Sequence, residues 1–312
     1  MVYLKPLGGL CNRMRTIDGM VSICKNNNSD LTVLWVMDKS LNIDFESIFM
    51  PINNETITVK ILNCPQGYPE NYFKRSGNYL KRTVKNTVSN GLLNRGLKDT
   101  LKHIEKIGEG KIMTQEEFNL MYSSDSHRGI NSVREMDALF ISKIEKELNG
   151  FFKDEHPKYL TTCYRMHMLL DTYKLFKPTK MISEMVGKTV KKFGKNTIGM
   201  HIRRSDHQTA TSFSSLDKFI KVIDENIKEE PSTSVFLCTD DGDTKSDLMK
   251  KYGDKILVNE VSSYDRNNSG AVIDAMVDLY CLSSTKKVYG SHHSSFSQVA
   301  SDIGGVEEIT VI

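Results

Sequence analysis

The sequence predicts an α/β protein of two domains, each built on a parallel sheet. In the second half of the chain, five short apolar runs alternate with segments of helical periodicity, which is the pattern of a doubly wound parallel sheet. The first half opens with a strand, a glycine-containing turn, a helix and a second strand, which is the beginning of a βαβ unit. The 312 residues are enough for two domains of ordinary size.

The first half begins with the strand pattern "MVYLKP", and the turn "LGGLCNRMR" follows it. A helix to about Cys24 and the strand "LTVLWVM" come next. Gly8 and Gly9 permit positive φ and let another molecule approach the backbone. The turn has neither the GxGxxG spacing nor the Walker A lysine, so neither nucleotide motif applies. Beyond Pro51 the periodicity weakens, and polar, Asn-rich and basic stretches alternate with short apolar ones.

The second half gives a complete series of elements. The predicted helices cover residues 178–194, 215–229, 244–253, 270–284 and 294–304. The predicted strands cover residues 196–202, 234–239, 255–259, 286–290 and 307–312. Gly194 ends the first of these helices, and Ser215 is placed as the N-cap of the second. Right-handed crossovers would complete a Rossmann-like domain. We place the boundary at Lys177–Pro178, which gives domains 1–177 and 178–312.

Composition excludes several classes of protein. The charge of +3 is too small to predict nucleic-acid binding, and 39% hydrophobic with 26% charged residues fits a soluble globular protein. The six cysteines are scattered without a CxxC pair, which indicates reduced thiols rather than a disulfide frame or a zinc site. With no leader-like N-terminus and no run of about 18 apolar residues, we expect a cytoplasmic protein.

Residues 74–111 hold ten Lys and Arg against three Asp and Glu. Such a surplus can face an acidic acceptor or the inner face of a membrane as a peripheral contact. A solvated helical face is the alternative that the composition favours, because charge runs usually lie on the surface.

The stretch "GMHIRRSDH" ends the first predicted strand of the second domain. Strand side chains alternate between faces, so Ile198, Met200 and Ile202 should face the core. Gly199, with space beside it, would share the other face with His201 and Arg203. His201 and Arg203 then emerge at the carboxyl end of a parallel strand, where open α/β sheets bind ligands.

Adjacent arginines at this edge suit an anion, because each planar guanidinium donates two parallel hydrogen bonds to a phosphate. Arg203 and Arg204 can neutralise a diphosphate without a metal. The alternative is a surface strand end in which one arginine pairs with Asp206 and the histidines are solvated.

Three further motifs follow strands of the second domain. "YGSHHSSFSQVA" opens a helix with serines, which predicts either an anion site at the helix N-terminus or an ordinary N-cap. Its adjacent histidines are poorly placed to chelate one metal ion. "CTDDGD" is interpreted as a strand-to-helix turn in which Asp240 or Asp241 turns the chain or contacts a ribose, with a divalent-metal motif as the alternative.

Asp274 and Asp278 lie four residues apart in "GAVIDAMVDLY" and therefore share a helical face. Like charges at that spacing disfavour a helix, and a partner with several N–H donors would offset the repulsion. Guanine offers N1–H and N2–H side by side to one carboxylate, and adenine cannot. Two solvated aspartates are the alternative. In the first domain, Asn12 and Arg13 should lie at the corresponding sheet edge, and two such edges facing each other would form a cleft.

Four blocks resemble a known family in the expected order. "GMHIRRSD" resembles the HxRRxD signature of the fucosyltransferases that include α1,6-fucosyltransferases, nodulation fucosyltransferases and protein O-fucosyltransferases. "FLCTDD", "VDLYCLSS" with "SSFSQVA", and "GGLCNRMR" are similar to their other blocks. The resemblance covers residues 8–15 and 199–300. It implies two Rossmann-like domains facing a cleft, the GT-B type, and inverting, metal-independent transfer from GDP-fucose to a glycan or glycolipid hydroxyl.

The resemblance also implies roles for individual residues. Arg203 matches the catalytic arginine on the β-phosphate, and Asp206 matches the signature aspartate. The residues that would contact the GDP-sugar are Gly9, Asn12, Arg13, His201, Arg204, Asp240, Asp278, Ser294, Ser295 and Phe296. His201 would lie beside the guanosine, Asp278 would read guanine, and the turn at 294–296 would hold the diphosphate. No metal ligand and no cofactor are implied.

The chain departs from the family at two points. His207 stands where the α1,6 enzymes have lysine, and the "GSHHSSFSQ" turn is about two residues longer than theirs. The general base is therefore open between Asp206, the first choice, and His207. Two other functions stay under consideration: a transferase of the same architecture that uses another nucleotide sugar, and a non-catalytic nucleotide- or glycan-binding protein.

Overall fold

The computed structural model describes residues 1–76, 79–84, 93–121, 130, 132–168, 173–204, 212–261 and 267–312. The chain forms two compact units. The first consists of Met1–Ser47, Pro51–Ser126 and Leu139–Leu170, and the second of Ile48–Met50, His127–Ala138 and Asp171–Ile312. The predicted boundary at Lys177–Pro178 differs from this division, because Ile48–Met50, His127–Ala138 and residues 171–177 belong to the second unit.

The first unit contains a parallel sheet of five strands in the order β3-β2-β1-β7-β6. Its strands are β1 (Val2–Pro6), β2 (Leu31–Val36), β3 (Val59–Cys64), β6 (Ile112–Met113) and β7 (Lys158–Thr162). A separate antiparallel pair is formed by β4 (Phe73–Ser76) and β5 (Tyr79–Val84). The helices of the first half of the chain are α1 (Leu10–Asn26), α2 (Phe45–Ile48), α3 (Arg95–Glu105), α4 (Gln115–Met121) and α5 (Val133–Phe151).

A buried ion pair joins α1 to the segment after β7. Arg165 donates to Asp18 at 2.6 Å, and both side chains are 0% exposed. Gly19 lies beside this pair, and a Cβ there would be 3.0 Å from the backbone nitrogen of His167. Arg165 also donates from Nε to the His167 carbonyl. The close approach at Gly19 and the ion pair together fix this segment against α1.

The second unit contains another parallel sheet of five strands, in the order β10-β9-β8-β11-β12. Its strands are β8 (Thr197–Ile202), β9 (Ser234–Thr239), β10 (Ile256–Leu257), β11 (Lys287–Ser291) and β12 (Glu307–Val311). The helices between them are α6 (Lys180–Val190), α7 (Leu216–Glu229), α8 (Gly242–Tyr252), α9 (Ser269–Leu282) and α10 (Ser295–Gly304). A hydrophobic cluster under α7 includes Ile198, Met200, Phe219 and Leu237.

The prediction of an α/β fold with two Rossmann-like units is confirmed by these two parallel sheets. All five strands and all five helices predicted for the second half are present, with ends that differ by a few residues. The largest difference is that α6 ends at Val190, four residues before the glycine expected to end it.

All six cysteines are free, and burial raises the pKa of the Cys24 and Cys64 thiols to about 12. Among the described residues, no helix combines the length and the apolar character needed to cross a bilayer.

Candidate functional site

Strand β8 carries the central part of the site. Ile198, Met200 and Ile202 lie in the hydrophobic cluster of one face, as predicted from alternation. On the other face, a Cβ at Gly199 would be 2.6 Å from Thr285 Oγ1 and 2.9 Å from Leu282 Cδ2. The space beside Gly199 is therefore filled by the end of α9. This corrects the expectation that the glycine leaves room for a ligand.

His201 is 9% exposed and contacts two residues at the start of α10. Its Nδ1 is 3.1 Å from Ser294 Oγ, and its ring stacks on Phe296 with centroids 4.8 Å apart. His201 is therefore packed at the start of α10 rather than solvated. The alternative of a solvated histidine does not hold for this residue.

The two arginines after β8 are anchored through their backbone. The Arg203 N–H donates to Ser291 Oγ at 2.9 Å, and the Arg204 N–H donates to Asp240 Oδ1 at 2.7 Å. These bonds fix the point where the chain leaves β8 between its neighbours β11 and β9. Asp206 and His207, the predicted base candidates, lie outside the described residues.

The acidic pair after β9 shapes the strand-to-helix turn. Asp240 accepts the Arg204 amide, whereas Asp241 is the N-cap of α8 and accepts the Thr244 amide at 2.9 Å. The hydrogen bonds from Thr244 lower the pKa of Asp241, and the charge of Arg204 acts in the same direction. This geometry agrees with the turn interpretation of "CTDDGD".

Helix α10 begins at the edge of the sheet and packs closely on β11. A Cβ at Gly290 would be 2.2 Å from Ser297 Oγ, so only glycine allows the first turn of α10 to lie there. Ser294 is the N-cap residue, but its hydroxyl contacts His201 instead of capping the helix. Of the two interpretations of this turn, the ordinary side-chain N-cap is therefore not formed by Ser294.

The histidine pair before α10 is packed among rings. His292 stacks on Phe213 and on His293, with centroids 4.6 Å and 3.7 Å apart. His293 Nε2 is 3.1 Å from the Ile130 carbonyl. In the described parts of the chain, no group of three or more His, Cys, Asp or Glu side chains is arranged to hold a metal ion.

Helix α9 places Asp278 next to β9 in the second unit. The residue is half-buried, but its Oδ1 atom is buried and has no hydrogen-bond partner among the described residues. Burial raises the pKa of Asp278 to about 7, and Asp274 adds to the rise. Asn259 and Lys245 act in the opposite direction. Asp278 thus titrates near neutrality.

At the edge of the first sheet, the glycine turn leads directly into α1. Gly8 has φ +82°, a positive value of the kind that the sequence predicted the glycines would permit. Gly9 is the N-cap of α1. Asn12 accepts from Arg15 at 3.0 Å through Oδ1, which directs its amide nitrogen away from Arg15. Arg15 was not singled out from the sequence, where it is only the second arginine of "NRMR".

Arg13 lies at the carboxyl edge of the first sheet, as expected, but its side chain is buried there by the protein itself. It is 0% exposed and lies 5.1 Å from the Trp35 ring. Its guanidinium donates to the Gly8 carbonyl, to the Val36 carbonyl and to Asp38. The expected contact between Arg13 and a substrate is therefore replaced by a bracing role between the glycine turn and the end of β2.

Comparison with known proteins finds similar folds among solved structures. No family model matches the sequence, and no curated protein matches it. The structure is similar to NodZ α-1,6-fucosyltransferase soaked with GDP-fucose, at 14% identity, TM-score 0.58, and coverage of 97% of this chain and 92% of that one. It is similar to an Arabidopsis thaliana FUT1 mutant in complex with GDP, at 13% identity, TM-score 0.55, and coverage of 99% and 69%.

A third similar structure is POFUT1 in complex with GDP-fucose, at 13% identity, TM-score 0.54, and coverage of 99% of this chain and 97% of that chain. The likeness extends over nearly the whole chain in all three cases. The protein therefore has the two-unit Rossmann-like fold of these glycosyltransferases.

Proposed function

We propose that the protein is a fucosyltransferase that moves L-fucose from GDP-fucose to a hydroxyl of a glycan or glycolipid. The observation that carries the proposal is the carboxyl edge of the second sheet, where hydrogen bonds connect the ends of neighbouring strands. There Arg203, Arg204 and His201 are tied through Ser291, Asp240 and Ser294 to the neighbouring strand ends. Such an edge is where parallel α/β sheets bind nucleotides. The names of the similar structures support GDP-fucose as the donor.

In this proposal, the diphosphate lies against Arg203 and the N-terminus of α10, and guanine lies against Asp278. The N–H groups of Ser295 and Phe296 lie in the first turn of α10 and have no acceptor within the helix, so together with the helix dipole they favour an anion. His201 lies beside the nucleoside, and its stacking on Phe296 limits its movement. Arg204 and Asp240 hold the turn that carries Arg203.

Transfer breaks the bond between the anomeric carbon and the diphosphate, and the acceptor oxygen attacks from the opposite face with inversion. The sugar gains oxocarbenium character, and negative charge develops on GDP. Arg203 stabilises that charge without a metal ion. A side-chain base takes the acceptor proton, with the carboxylate of Asp206 as first choice and the imidazole of His207 as second. The first unit would contribute Gly9 and Asn12 to the reacting sugar, with Arg13 bracing their turn.

The remaining parts of the proposal concern partners and location. We propose a cytoplasmic protein that binds no nucleic acid. A peripheral membrane contact through residues 74–111 stays a prediction, because part of that segment lies outside the described residues. If the acceptor is lipid-linked, the excess of Lys and Arg in residues 74–111 would have a role in contacting the membrane that carries it.

A nucleotide panel tests the donor class. Thermal unfolding in the presence of GDP, UDP or ADP should show stabilisation by GDP alone, because a ligand that binds the native state raises its unfolding temperature. Release of GDP from GDP-fucose in the presence of an acceptor mixture would then establish transfer. Equal stabilisation by UDP would favour another nucleotide sugar, and GDP binding without turnover would favour a non-catalytic protein.

The pKa of Asp278 near 7 predicts a pH-dependent affinity for guanine. The ionised carboxylate accepts N1–H and N2–H, whereas the protonated form cannot accept both. Guanosine affinity should therefore fall by about tenfold per pH unit below pH 7. Calorimetric titration between pH 5 and pH 7.5 measures this, and guanosine avoids the titration of a phosphate. Asp278→Asn is the control and should bind weakly at every pH. A flat profile for the wild type would contradict the assignment.

A further inference from the structure

Helix α1 of the first unit reaches the surface through one side chain near its start. The structure describes this helix in full, and from Leu10 to Cys24 every residue except Asn12 is buried. Asn12 lies in the first turn of the helix that follows β1, at the carboxyl edge of the first sheet. Ligands of open α/β sheets bind at that edge. The amide of Asn12 is therefore the polar side-chain group of this stretch that a substrate can reach.

Arg15 determines which way that amide points. Its Nη1 donates to Asn12 Oδ1 at 3.0 Å, and Arg15 is 7% exposed. A guanidinium carries donors and no acceptor, so the amide oxygen faces Arg15 and the amide nitrogen faces away from it. The reverse orientation would set N–H groups against N–H groups and would lose the hydrogen bond. Because the guanidinium is buried, its movement is limited and the orientation of the amide is fixed.

The glycine turn provides the space for the amide nitrogen. A Cβ at Gly8 would be 3.0 Å from Asn12 Nδ2 and 3.3 Å from Asn12 Cβ, so a side chain there would crowd the amide. Among the residues that the structure describes, Asn12 Nδ2 has no hydrogen-bond acceptor. Arg15 and Gly8 thus hold two N–H donors at the sheet edge for an acceptor outside the protein chain.

We propose that Arg15 is a positioning residue for fucosyl transfer, which holds the N–H groups of Asn12, rather than its oxygen, toward the reacting end of the GDP-sugar. The inference rests on the proposed function and adds a residue that acts through Asn12 without contacting the substrate. The electron pair of the breaking glycosidic bond stays on the departing oxygen, which gains negative charge. An N–H donor stabilises that charge, whereas an amide oxygen would repel it.

Steady-state kinetics of Arg15→Met test the inference, because methionine keeps much of the length of the side chain and removes its donors. The kcat of transfer should fall about tenfold, while the KM for GDP-fucose should change less than about twofold, since the affected charge develops only in the transition state. Arg15→Lys keeps a donor and should retain more of the kcat. Lys25→Met is the matched control and should leave kcat unchanged, because Lys25 is exposed in the last turn of the same helix.

A double-mutant cycle with Asn12→Ala separates positioning from a direct or general structural role. Asn12→Ala should lower kcat at least as much as Arg15→Met does. Adding Arg15→Met to Asn12→Ala should lower kcat no further, because the amide that Arg15 orients is then absent. Losses that multiply would overturn the inference, because Arg15 would then act independently of Asn12.

The outcomes distinguish this inference from the proposed function. A wild type that releases no GDP from GDP-fucose in the presence of an acceptor mixture would overturn both. Wild-type transfer that Arg15→Met leaves within about twofold of normal would overturn the inference alone. A loss that appears only in KM would also overturn it, because the amide would then contribute to binding and not to the departure of the oxygen.

Should Arg15→Met fail to fold, Asn12→Asp provides the second variant. It keeps the size of the side chain and an oxygen for Arg15, but a second, charged oxygen replaces the N–H groups. The kcat should fall further than in Asn12→Ala, since a carboxylate oxygen opposes negative charge on the departing oxygen. A kcat at the wild-type level in Asn12→Asp would contradict the inference.

Discussion

Arg203→Ala should lower the rate of fucosyl transfer by about a thousand-fold or more while the protein stays folded. The substitution removes the guanidinium that stabilises charge on the departing GDP, and the backbone bond from Arg203 to Ser291 can remain. Steady-state release of GDP from GDP-fucose measures the effect. Arg203→Lys should recover a small part of the rate, since a point charge replaces a planar pair of donors.

The matched control is Lys180→Ala on α6, because the Lys180 side chain is 91% exposed and its ion pair with Glu184 has a separation of 4.0 Å. That variant loses the same charge with no expected change in rate. Unfolding midpoints of all variants should lie close to that of the wild type. Turnover within a few-fold of normal in Arg203→Ala would remove the catalytic assignment of this residue.

Arg165→Met should lower the free energy of unfolding of the first unit by about 3–5 kcal/mol. The substitution leaves the carboxylate of Asp18 buried and removes a bond to the His167 carbonyl as well. Urea denaturation monitored by circular dichroism measures the change. The double variant Asp18→Leu, Arg165→Met should recover much of the loss, since no unpaired charge is left behind.

An exposed pair provides the comparison for this prediction. Arg95→Met breaks the surface pair with Asp99 and should change stability by less than about 1 kcal/mol. A similar small change for Arg165→Met would mean that Asp18 gains water or another partner in the variant. The two substitutions remove the same chemical group, so burial accounts for the difference between them.

The second unit could be predicted from sequence because its strands are apolar and its helices are periodic. Strand β8 reads "TIGMHI", and all six residues are buried, as a central parallel strand requires. In the first unit, β6 has two residues, and β7 begins with Lys158, whose buried ammonium group is bonded to Asp154. Neither pattern identifies a strand without the neighbours that pair with it.

The site was predicted in part. The position of His201 and Arg203 at a carboxyl edge followed from alternation and from the end of the apolar run. The burial of Arg13 did not, because it depends on the Val36 carbonyl and on Asp38, which only the fold brings close.

The fit of Ser297 against Gly290 gives a way to recognise remote relatives. Identity to the compared structures is near 14%, so general sequence similarity is a poor guide. A side chain at position 290 would displace the helix that starts five residues later. Chains that share the ancestry of this protein should thus retain glycine there, with a small residue seven positions downstream, even after most other letters have changed.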